Sequence, residues 1–312
     1  MLEKNKIAVV IPYFNASKHI ERVVKKLPAI IDVIYIVDDC GTEPVPNNLA
    51  NNTKVVMLKN ETNLGVGGAT KAGFNKAIID NIDIVVKLDA DDQMDANYIA
   101  HLVAPLVNET SEYAKGNRFR DFKALHKMPF FRKAGNLLLS FLVKAATGYW
   151  NNFDPTNGFF AIRVNTLKQL DFSNISNRYY FETSLIAELY FQEARIYDVA
   201  MPAIYGDEKS SMSVWKMPFV FIPRLLKTFV KRILKSYFLY DFNMSSIYIL
   251  LGIPLFLFGV IYGCYTWWYY TSQNIFAPTG TIMLVTLTII LGFQLLLQAI
   301  HYDITKAPKS LK

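Results

Sequence analysis

Unbroken apolar runs alternate with segments of helical periodicity through the early part of the chain. The runs are short, rich in Val and Ile, and lie at residues 7–11, 33–37, 54–58 and 83–88. Apolar positions at helical spacing fill residues 18–31, and a Gly-rich turn at 63–69 opens a helix running to about residue 79. Strands without polar alternation are typical of sheets covered on both faces. The β-α-β-β-α-β order therefore predicts an α/β fold with a mostly parallel sheet.

Weaker patterns follow in the next part of the chain. Residues 95–108 predict a helix, and residues 114–120, 159–162 and 195–199 predict short strands. The apolar segment 129–147 carries cations near its ends and predicts a helix. Two placements of this helix are open: at a membrane surface, or buried inside the protein.

The end of the chain has a different composition. No Asp, Glu, Lys or Arg occurs from Phe242 to Tyr302, which is long enough for two membrane spans of about 20 residues each. We place these spans at residues 245–270 and 281–301. The predicted organisation is a catalytic-size domain at 1–215, a basic juxtamembrane amphipathic segment at 216–241, and a two-helix hairpin with a short tail at 242–312.

Cations flank the hairpin on both outer sides, in a chain whose net charge is +7. They are Lys216, Arg224, Lys227, Lys231, Arg232 and Lys235 before it, and Lys306, Lys309 and Lys312 after it. By the positive-inside rule, both ends and the large N-terminal domain are cytoplasmic. The predicted localisation is the inner (plasma) membrane, as a multi-pass protein. Pro218 and Pro223 predict breaks in the basic segment that precedes the first span.

Carboxylates crowd into a short segment directly after the fourth predicted strand. Asp89 and Asp91 leave the strand end together, and Gln93 follows. Like charges at this spacing repel one another unless a positive partner lies among them. Carboxylate and amide oxygens suit Mg²⁺ or Mn²⁺, which needs only one or two protein carboxylates when a diphosphate supplies further ligands. The alternative is a solvated acidic turn.

Polar residues that follow two other strands support the interpretation of a metal site. Asp38 and Asp39 follow the second strand, and Asn15 follows the first. Since ligands of parallel sheets bind outside the carboxyl ends of the strands, these side chains are expected in one crevice suited to a nucleoside diphosphate. The Gly-rich run at 63–68 lacks the Gly-Lys-Ser/Thr of a P-loop, which leaves phosphate contact or tight-turn packing as its role.

Four motifs together resemble family 2 glycosyltransferases of the GT-A fold. They are Val-Ile-Pro-Tyr-Phe-Asn at 10–15, Ile-Val-Asp-Asp at 36–39, Asn-Leu-Gly-Val-Gly-Gly-Ala at 63–69 and Leu-Asp-Ala-Asp-Asp-Gln at 88–93. The Asp-Ala-Asp-x-Gln form and the two C-terminal spans resemble the polyprenyl-phosphate glycosyltransferases, the dolichol-phosphate-mannose-synthase group. The specific motifs cover about residues 5–120. Resemblance beyond them is looser and rests on segments 154–159, 181–182 and 205–211.

The resemblance implies a role for each matching position. The nucleotide-binding residues would be Pro12, Tyr13, Asn15, Asp39 and Asp89, and the metal ligands Asp89, Asp91 and Gln93. The acceptor phosphate would meet Arg118, Arg120, Arg132, Lys209, Ser210 and Ser211. The catalytic set would be Asp91, Arg118, Glu182 and Lys209. The loop Asp-Glu-Lys-Ser-Ser at 207–211 departs from the family's pattern of Arg, Gly and Ser-Lys, which weakens the roles of Lys209 and its neighbours.

The chemistry implied is inverting transfer of a single sugar from a nucleoside-diphosphate sugar, UDP- or GDP-linked, to a polyprenyl phosphate. A divalent cation, Mg²⁺ or Mn²⁺, and basic side chains would neutralise the leaving diphosphate. The acceptor oxygen is already anionic, so no general base is required. Glu182 and Asp154 are the two candidates should one act.

Two other functions stay open at this point. A processive family 2 polysaccharide synthase normally carries Gln-x-x-Arg-Trp and more spans, and neither is found. A non-catalytic membrane scaffold would gain nothing from Asp89, Asp91 and Gln93. The predicted partners are the sugar nucleotide, the polyprenyl phosphate and membrane lipid, with no nucleic acid. Paired hairpins often associate in membranes, so a homo-oligomer is compatible with the sequence.

Overall fold

A computed structural model of the chain describes residues 5–118, 130–202 and 217–309. Residue contacts divide the chain into two compact units. The first contains residues 1–229 and 308–312, and the second contains residues 230–307. The division falls close to the predicted juxtamembrane segment, and each unit is described by itself below.

The first unit is built on one seven-stranded sheet. The strands are β1 (Ile7–Tyr13), β2 (Val33–Asp38), β3 (Val55–Lys59), β4 (Ile84–Lys87), β5 (Tyr113–Asn117), β6 (Phe160–Arg163) and β7 (Ile196–Ala200). Their order across the sheet is β3-β2-β1-β4-β6-β5-β7. Only β6 runs antiparallel to its neighbours, β4 and β5. The predicted α/β class and mostly parallel sheet are confirmed.

Helices cover both faces of this sheet. They are α1 (Ser17–Lys25), α2 (Val66–Ile79), α3 (Ile99–Val107), α4 (Phe130–Thr147), the single turn α5 (Val164–Leu167) and α6 (Phe181–Phe191). Helix α1 ends earlier than the predicted residue 31, because Pro28 disfavours a helical conformation at the residue before it.

Strand alternation divides the core into two layers. Val9 and Ile11 of β1 point to one face and join the side of α1 and α3, whereas Ala8 and Val10 point to the other face. That second layer contains Phe74 of α2, together with residues of α6. Full burial of a side chain such as Phe74 contributes about 2–3 kcal/mol to stability. Both faces of β1 are therefore buried from solvent, which explains why its sequence is apolar on both faces.

The short length of β4 creates space at one edge of the sheet. It pairs only with residues 7–10 of β1, so the carboxyl end of β1 has a strand neighbour on the β2 side alone. Pro12 lies in this end of β1, where its missing N–H donor does not interrupt a ladder with β4.

Helix α4 has two different sides. Val143 and Ala146 are buried, whereas Leu137, Leu138 and Phe141 are exposed. The buried side joins a small apolar cluster with Tyr180 and with Phe221 and Leu225 of the later helix α7 (Met217–Leu234). Of the two placements predicted for segment 129–147, burial is confirmed for one side of the helix, and a membrane-surface position for the exposed side stays a prediction.

Helix α7 continues through Pro223, so the predicted break at that residue is wrong. Pro218 lies close to residues outside the described part of the chain, and the break predicted there stays a prediction. Pro223 removes one internal hydrogen bond. The neighbouring Phe221 and Leu225 are both 3% exposed, and their packing offsets that loss.

The second unit contains two long apolar helices, α8 (Met244–Ser272) and α9 (Thr279–Lys306). In each helix, an 18-residue stretch has a mean hydropathy of 2.2, and 11% of that stretch is buried. Both helices are therefore long and apolar enough to cross a membrane. Glycine allows the two helices to approach closely. A Cβ added at Gly259 would lie 2.7 Å from Cγ1 of Ile289, and one at Gly292 would lie 2.5 Å from the backbone nitrogen of Phe256.

A buried ion pair joins the end of α7 to α9. Arg232 donates to both carboxylate oxygens of Asp303, at 2.6 and 2.9 Å, and the Tyr237 hydroxyl donates to the same carboxylate at 2.5 Å. Tyr237 lies in a π-helical segment, Lys235–Leu239. Arg232 is fully buried. Arg232, one of the cations predicted to flank the hairpin, is therefore buried in an ion pair.

Candidate active site

Lysines neutralise part of the acidic segment that follows β4. Lys87 Nζ donates to Asp89 Oδ1 at 2.6 Å, and Lys26 Nζ donates to both oxygens of Asp92 at 2.7 and 2.9 Å. The Asp91 carboxylate accepts from the backbone N–H of Gln93 at 3.0 Å, which fixes the turn. Three carboxylates can therefore coexist here because each has its own donor.

Lys87 is the last residue of β4 and is 1% exposed. Its ammonium also lies 3.8 Å from Oε1 of Glu182, in the first turn of α6. Burial alone would lower the pKa of Lys87, but the carboxylates of Asp89 and Glu182 reverse this and raise it above its ordinary value. Burial raises the pKa of Glu182, and Lys87 offsets only part of that shift. A buried cation therefore connects the acidic segment to α6.

Arg118 lines the same cavity as the acidic segment. Its Nε and Nη2 atoms donate to the two oxygens of Asp154, at 2.7 and 2.8 Å, and its backbone N–H donates to the same carboxylate at 3.1 Å. Asp154 is fully buried and has a left-handed backbone, with φ of 53°. Because both carboxylate oxygens of Asp154 accept hydrogen bonds from Arg118, Asp154 orients the guanidinium. Glu182 is then the better placed of the two candidate bases.

A buried lysine holds the segment that carries Asp154. Lys115 Nζ donates to the backbone oxygens of Phe153 and Asp154, and it lies 3.1 Å from the carboxylate of Asp198. The Phe153 N–H donates to that same carboxylate at 2.8 Å. Lys115 and Asp198 therefore fix the position of Asp154, and through it the position of Arg118.

One cavity of about 200 Å³ brings the predicted residues together. Its lining includes Asp89, Asp91, Gln93, Arg118 and Glu182, all predicted from the sequence. Sequence reasoning assigned no site role to other lining residues, namely Asp95, Tyr98, Thr156, Asn157 and Gly158. The last three belong to segment 154–159, which entered only as part of the looser family resemblance. The cavity lies beyond the carboxyl ends of β4 and β5, as expected for such a sheet.

The predicted nucleotide-binding residues hold the loops beyond β1 and β2. The Tyr13 hydroxyl donates to the backbone oxygens of Glu43 and Pro44, at 3.1 and 3.0 Å. The Asn15 side-chain oxygen accepts from the backbone N–H groups of Thr42 and Glu43, at 2.8 and 3.0 Å. These bonds fix the chain that follows β2.

Asp39 holds a second loop. Its carboxylate is 3% exposed and accepts from the Asn60 amide at 2.8 Å and from the backbone N–H groups of Leu64 and Gly65 at 3.0 and 2.7 Å. Asp39 thereby positions the Gly-rich run where it enters α2. A role on the base or ribose stays a prediction.

The Gly-rich run packs as a tight turn. Gly65 has a left-handed φ of 87°, and the N–H groups of Gly67 and Gly68 both donate to the backbone oxygen of Asn177, at 2.8 and 3.1 Å. A Cβ at Gly67 would also overlap the Ser176 carbonyl oxygen. Of the two roles left open by the sequence, these contacts favour packing.

Several predicted acceptor-phosphate residues lie outside the described residues. They are Arg120, Lys209, Ser210 and Ser211, and the side chain of Arg132 belongs with them. Their roles stay predictions.

The residues present fit a divalent cation. Asp89 and Asp91 offer carboxylates and Gln93 an amide oxygen, the donors that hard cations prefer. Asp89 Oδ1 also accepts a hydrogen bond from the Lys87 ammonium, at 2.6 Å. Across residues 5–118, 130–202 and 217–309, no group of three or more His, Cys, Asp or Glu side chains could hold a metal ion. Further ligands would have to come from a diphosphate and water.

Comparison with known proteins identifies the family. The model of the family described as "Glycosyl transferase family 2" matches residues 8–171, just over half of the 312 residues. The chain belongs to this family and is a glycosyltransferase, which confirms the resemblance drawn from its motifs.

Two curated relatives and one solved structure illustrate the similarity. A UDP-N-acetylglucosamine–dolichyl-phosphate N-acetylglucosaminyltransferase of Methanococcus voltae is 35% identical, covering 55% of this chain and 75% of the relative. An undecaprenyl-phosphate mannosyltransferase of Micrococcus luteus is 24% identical, covering 61% and 79%. Glucosyl-3-phosphoglycerate synthase of Mycobacterium tuberculosis, solved with Mn²⁺ and UDP-glucose, aligns with a TM-score of 0.55 at 20% identity, covering 72% of this chain and 79% of that one. The last comparison shows the shared GT-A fold.

Proposed function

We propose that this protein transfers a single sugar from a nucleoside-diphosphate sugar to a polyprenyl phosphate at the cytoplasmic membrane face. Transfer depends on a divalent cation and inverts the anomeric configuration. The two curated relatives carry names that specify dolichyl or undecaprenyl phosphate as acceptor, which supports this acceptor class. The apolar helices α8 and α9 support a membrane location.

One observation carries the proposal. Asp89, Asp91 and Gln93 line the same cavity as Arg118 and Glu182, so oxygen ligands for a cation and a guanidinium share one small cleft. A cation bound at the oxygen ligands would neutralise charge on the departing diphosphate. Arg118, oriented by Asp154, is placed to bind an anionic group of the acceptor or donor.

The acceptor chemistry requires no dedicated base. A phosphate oxygen is anionic at neutral pH and attacks the anomeric carbon without losing a proton. Glu182 is held by the Lys87 ammonium at 3.8 Å, and its first role is to position that lysine beneath the site. Asp89 and Asp91 hold the donor side, while Arg118 orients the acceptor for in-line attack.

The surface of the first unit suits an acceptor that resides in a membrane. Leu137, Leu138 and Phe141 of α4 are exposed, as are Ile222 and Leu226 of α7. The two helices pack together through the small apolar cluster around Tyr180. Exposed apolar side chains on adjoining helices are typical of interfacial segments that lie at a membrane surface.

The test is product analysis with purified full-length protein in detergent. UDP- and GDP-linked sugars are each incubated with Mn²⁺ and a polyprenyl phosphate, and the lipid fraction is analysed by mass spectrometry. We expect one sugar per lipid phosphate with one donor, and loss of product in Asp91→Ala or in EDTA. A long polymer would indicate a processive synthase, and no turnover of any donor would favour a scaffold. Normal turnover by Asp91→Ala would refute the metal assignment.

A further inference from the structure

Lys87 has a position that the transfer chemistry does not explain. It is the last residue of a central strand, and it is among the largest fully buried side chains of the described residues. Its ammonium lies beneath the cavity rather than in its lining, with Asp89 at 2.6 Å and Glu182 at 3.8 Å. A buried lysine is costly unless it is paired, so these two carboxylates account for its presence.

The fold directs Lys87 to these partners. Strand alternation places it on the same face of the sheet as Val85, which packs in the layer with Phe181 of α6. Glu182 follows Phe181 in the first turn of α6, where the helix N-terminus also favours a carboxylate. Lys87 therefore connects a predicted metal ligand to a residue that is distant in sequence.

Gly158 leaves the space that this arrangement needs. A Cβ at that position would lie 2.6 Å from the Lys87 Nζ atom, and 3.2 Å from both Asp89 Oδ2 and Glu182 Oε1. The backbone at Gly158 thus covers the ammonium from the cavity side. The lysine is a fixed internal charge and not a side chain that can move into the cavity without displacing this backbone.

We propose that Lys87 is a built-in counter-ion that holds Asp89 and Glu182 in place before the metal binds and lowers the affinity of the site for a divalent cation. This inference rests on the proposed metal-dependent function. A positive charge fixed against Asp89 opposes any cation that approaches the same carboxylate. The protein then retains a divalent cation only when the nucleotide diphosphate adds its own negative charge, so metal and donor bind together.

The direct test measures Mn²⁺ affinity without turnover. Free Mn²⁺ is followed by electron paramagnetic resonance during titration of full-length protein in detergent, with and without UDP. We expect Lys87→Met to bind Mn²⁺ about tenfold more tightly than the wild type without UDP. Lys26→Met is the matched control. Lys26 makes an ion pair of 2.7 Å with Asp92 in the same acidic segment, but its side chain is 57% exposed. We expect wild-type affinity from this control.

Thermal unfolding separates this role from a merely structural one. Without metal, Lys87→Met leaves two carboxylates unneutralised and should unfold at a lower temperature. Added Mn²⁺ should raise its unfolding temperature more than that of the wild type, because the cation replaces the lost ammonium. An equal rise in both proteins, or equal Mn²⁺ affinity, would overturn the proposal.

A second pair of variants covers a folding failure of Lys87→Met. Lys87→Met/Glu182→Gln removes two opposite charges together and is compared with Glu182→Gln alone. Tighter Mn²⁺ binding by the double variant supports the proposal, and equal binding overturns it. If the wild type binds no Mn²⁺ even with UDP, the metal dependence itself fails and the counter-ion role fails with it. The counter-ion role alone fails if the wild type binds Mn²⁺ and the Lys87→Met variant binds it no more tightly.

Discussion

Arg118 donates two hydrogen bonds from its guanidinium to the two carboxylate oxygens of Asp154, at 2.7 and 2.8 Å, and Asp154 itself is fully buried. The pair fixes the direction of the guanidinium while its side chain stays 43% exposed. A bidentate pair of this kind gives geometric specificity as well as energy. It determines where an anionic substrate group can bind.

Asp154→Asn should therefore damage catalysis. The amide nitrogen would face a guanidinium donor, and a misplaced Arg118 is expected to lower kcat about 100-fold. Glu109→Gln is the control, since Glu109 is an exposed carboxylate that pairs with Arg163 at 3.3 Å. Steady-state sugar transfer measures both variants. Turnover by Asp154→Asn within twofold of the control would show that Arg118 needs no such partner.

Removing one partner of the buried Arg232–Asp303 pair should destabilise the second unit strongly. Asp303→Leu leaves a buried guanidinium without its carboxylate, which costs about 3–5 kcal/mol. The double variant Arg232→Met/Asp303→Leu should recover most of this loss. Asp241→Asn, which alters an exposed pair with Lys306 at 3.0 Å, should have little effect. Thermal unfolding in detergent compares the four proteins, and a double variant no more stable than Asp303→Leu would contradict the expected coupling.

Two glycines in helices should respond oppositely to alanine. A Cβ at Gly73 of α2 would overlap Cγ1 of Val10 in β1, so Gly73→Ala should destabilise the protein by about 1–3 kcal/mol. Gly135 of α4 has nothing within 4 Å of an added Cβ. Gly135→Ala should be neutral or stabilise by up to about 1 kcal/mol, because alanine is the better helix former. Chemical denaturation measures both, and equal effects would refute the packing argument.

The Glu112–Arg195 pair predicts a pH-dependent contribution to stability. Burial raises the pKa of Glu112, but its bonds with the backbone N–H and guanidinium of Arg195 outweigh this and lower it below the ordinary value. A lowered folded-state pKa stabilises the protein above the unfolded pKa, about 4.3, and that gain is lost as pH falls through the folded pKa. Glu112→Gln should be less stable than the wild type by about 1 kcal/mol at pH 7.

This difference should persist down to about pH 5 and shrink below about pH 4. Denaturation curves at several pH values measure it. A difference that grows as the pH falls would contradict the assignment.

Local patterns predicted the first half of the fold because its elements are defined by local sequence. The strands β1 to β4 are mostly apolar runs, and polar residues follow β1, β2 and β4 at one sheet edge. The antiparallel insertion of β6 between β4 and β5 depends on pairing between segments far apart in the chain. No short-range signal specifies that order.

The part of the site that was predicted is also defined by local sequence. Asp89, Asp91 and Gln93 form a compact motif, so they were found. Lys87 was missed because a lysine at the end of a strand normally indicates an exposed position, and its second partner, Glu182, lies on a later helix. The burial of Arg232 was not predicted for a similar reason, since its partner Asp303 is 71 positions away in the sequence.

The most direct measurement is a structure of the protein with a sugar nucleotide and Mn²⁺, using the anomalous signal of manganese. We predict a peak bridging the carboxylates of Asp89 and Asp91 and the diphosphate oxygens, within the cavity that Arg118 and Glu182 also line. A bound nucleotide with manganese absent from these carboxylates, or lodged elsewhere on the protein, would contradict the account.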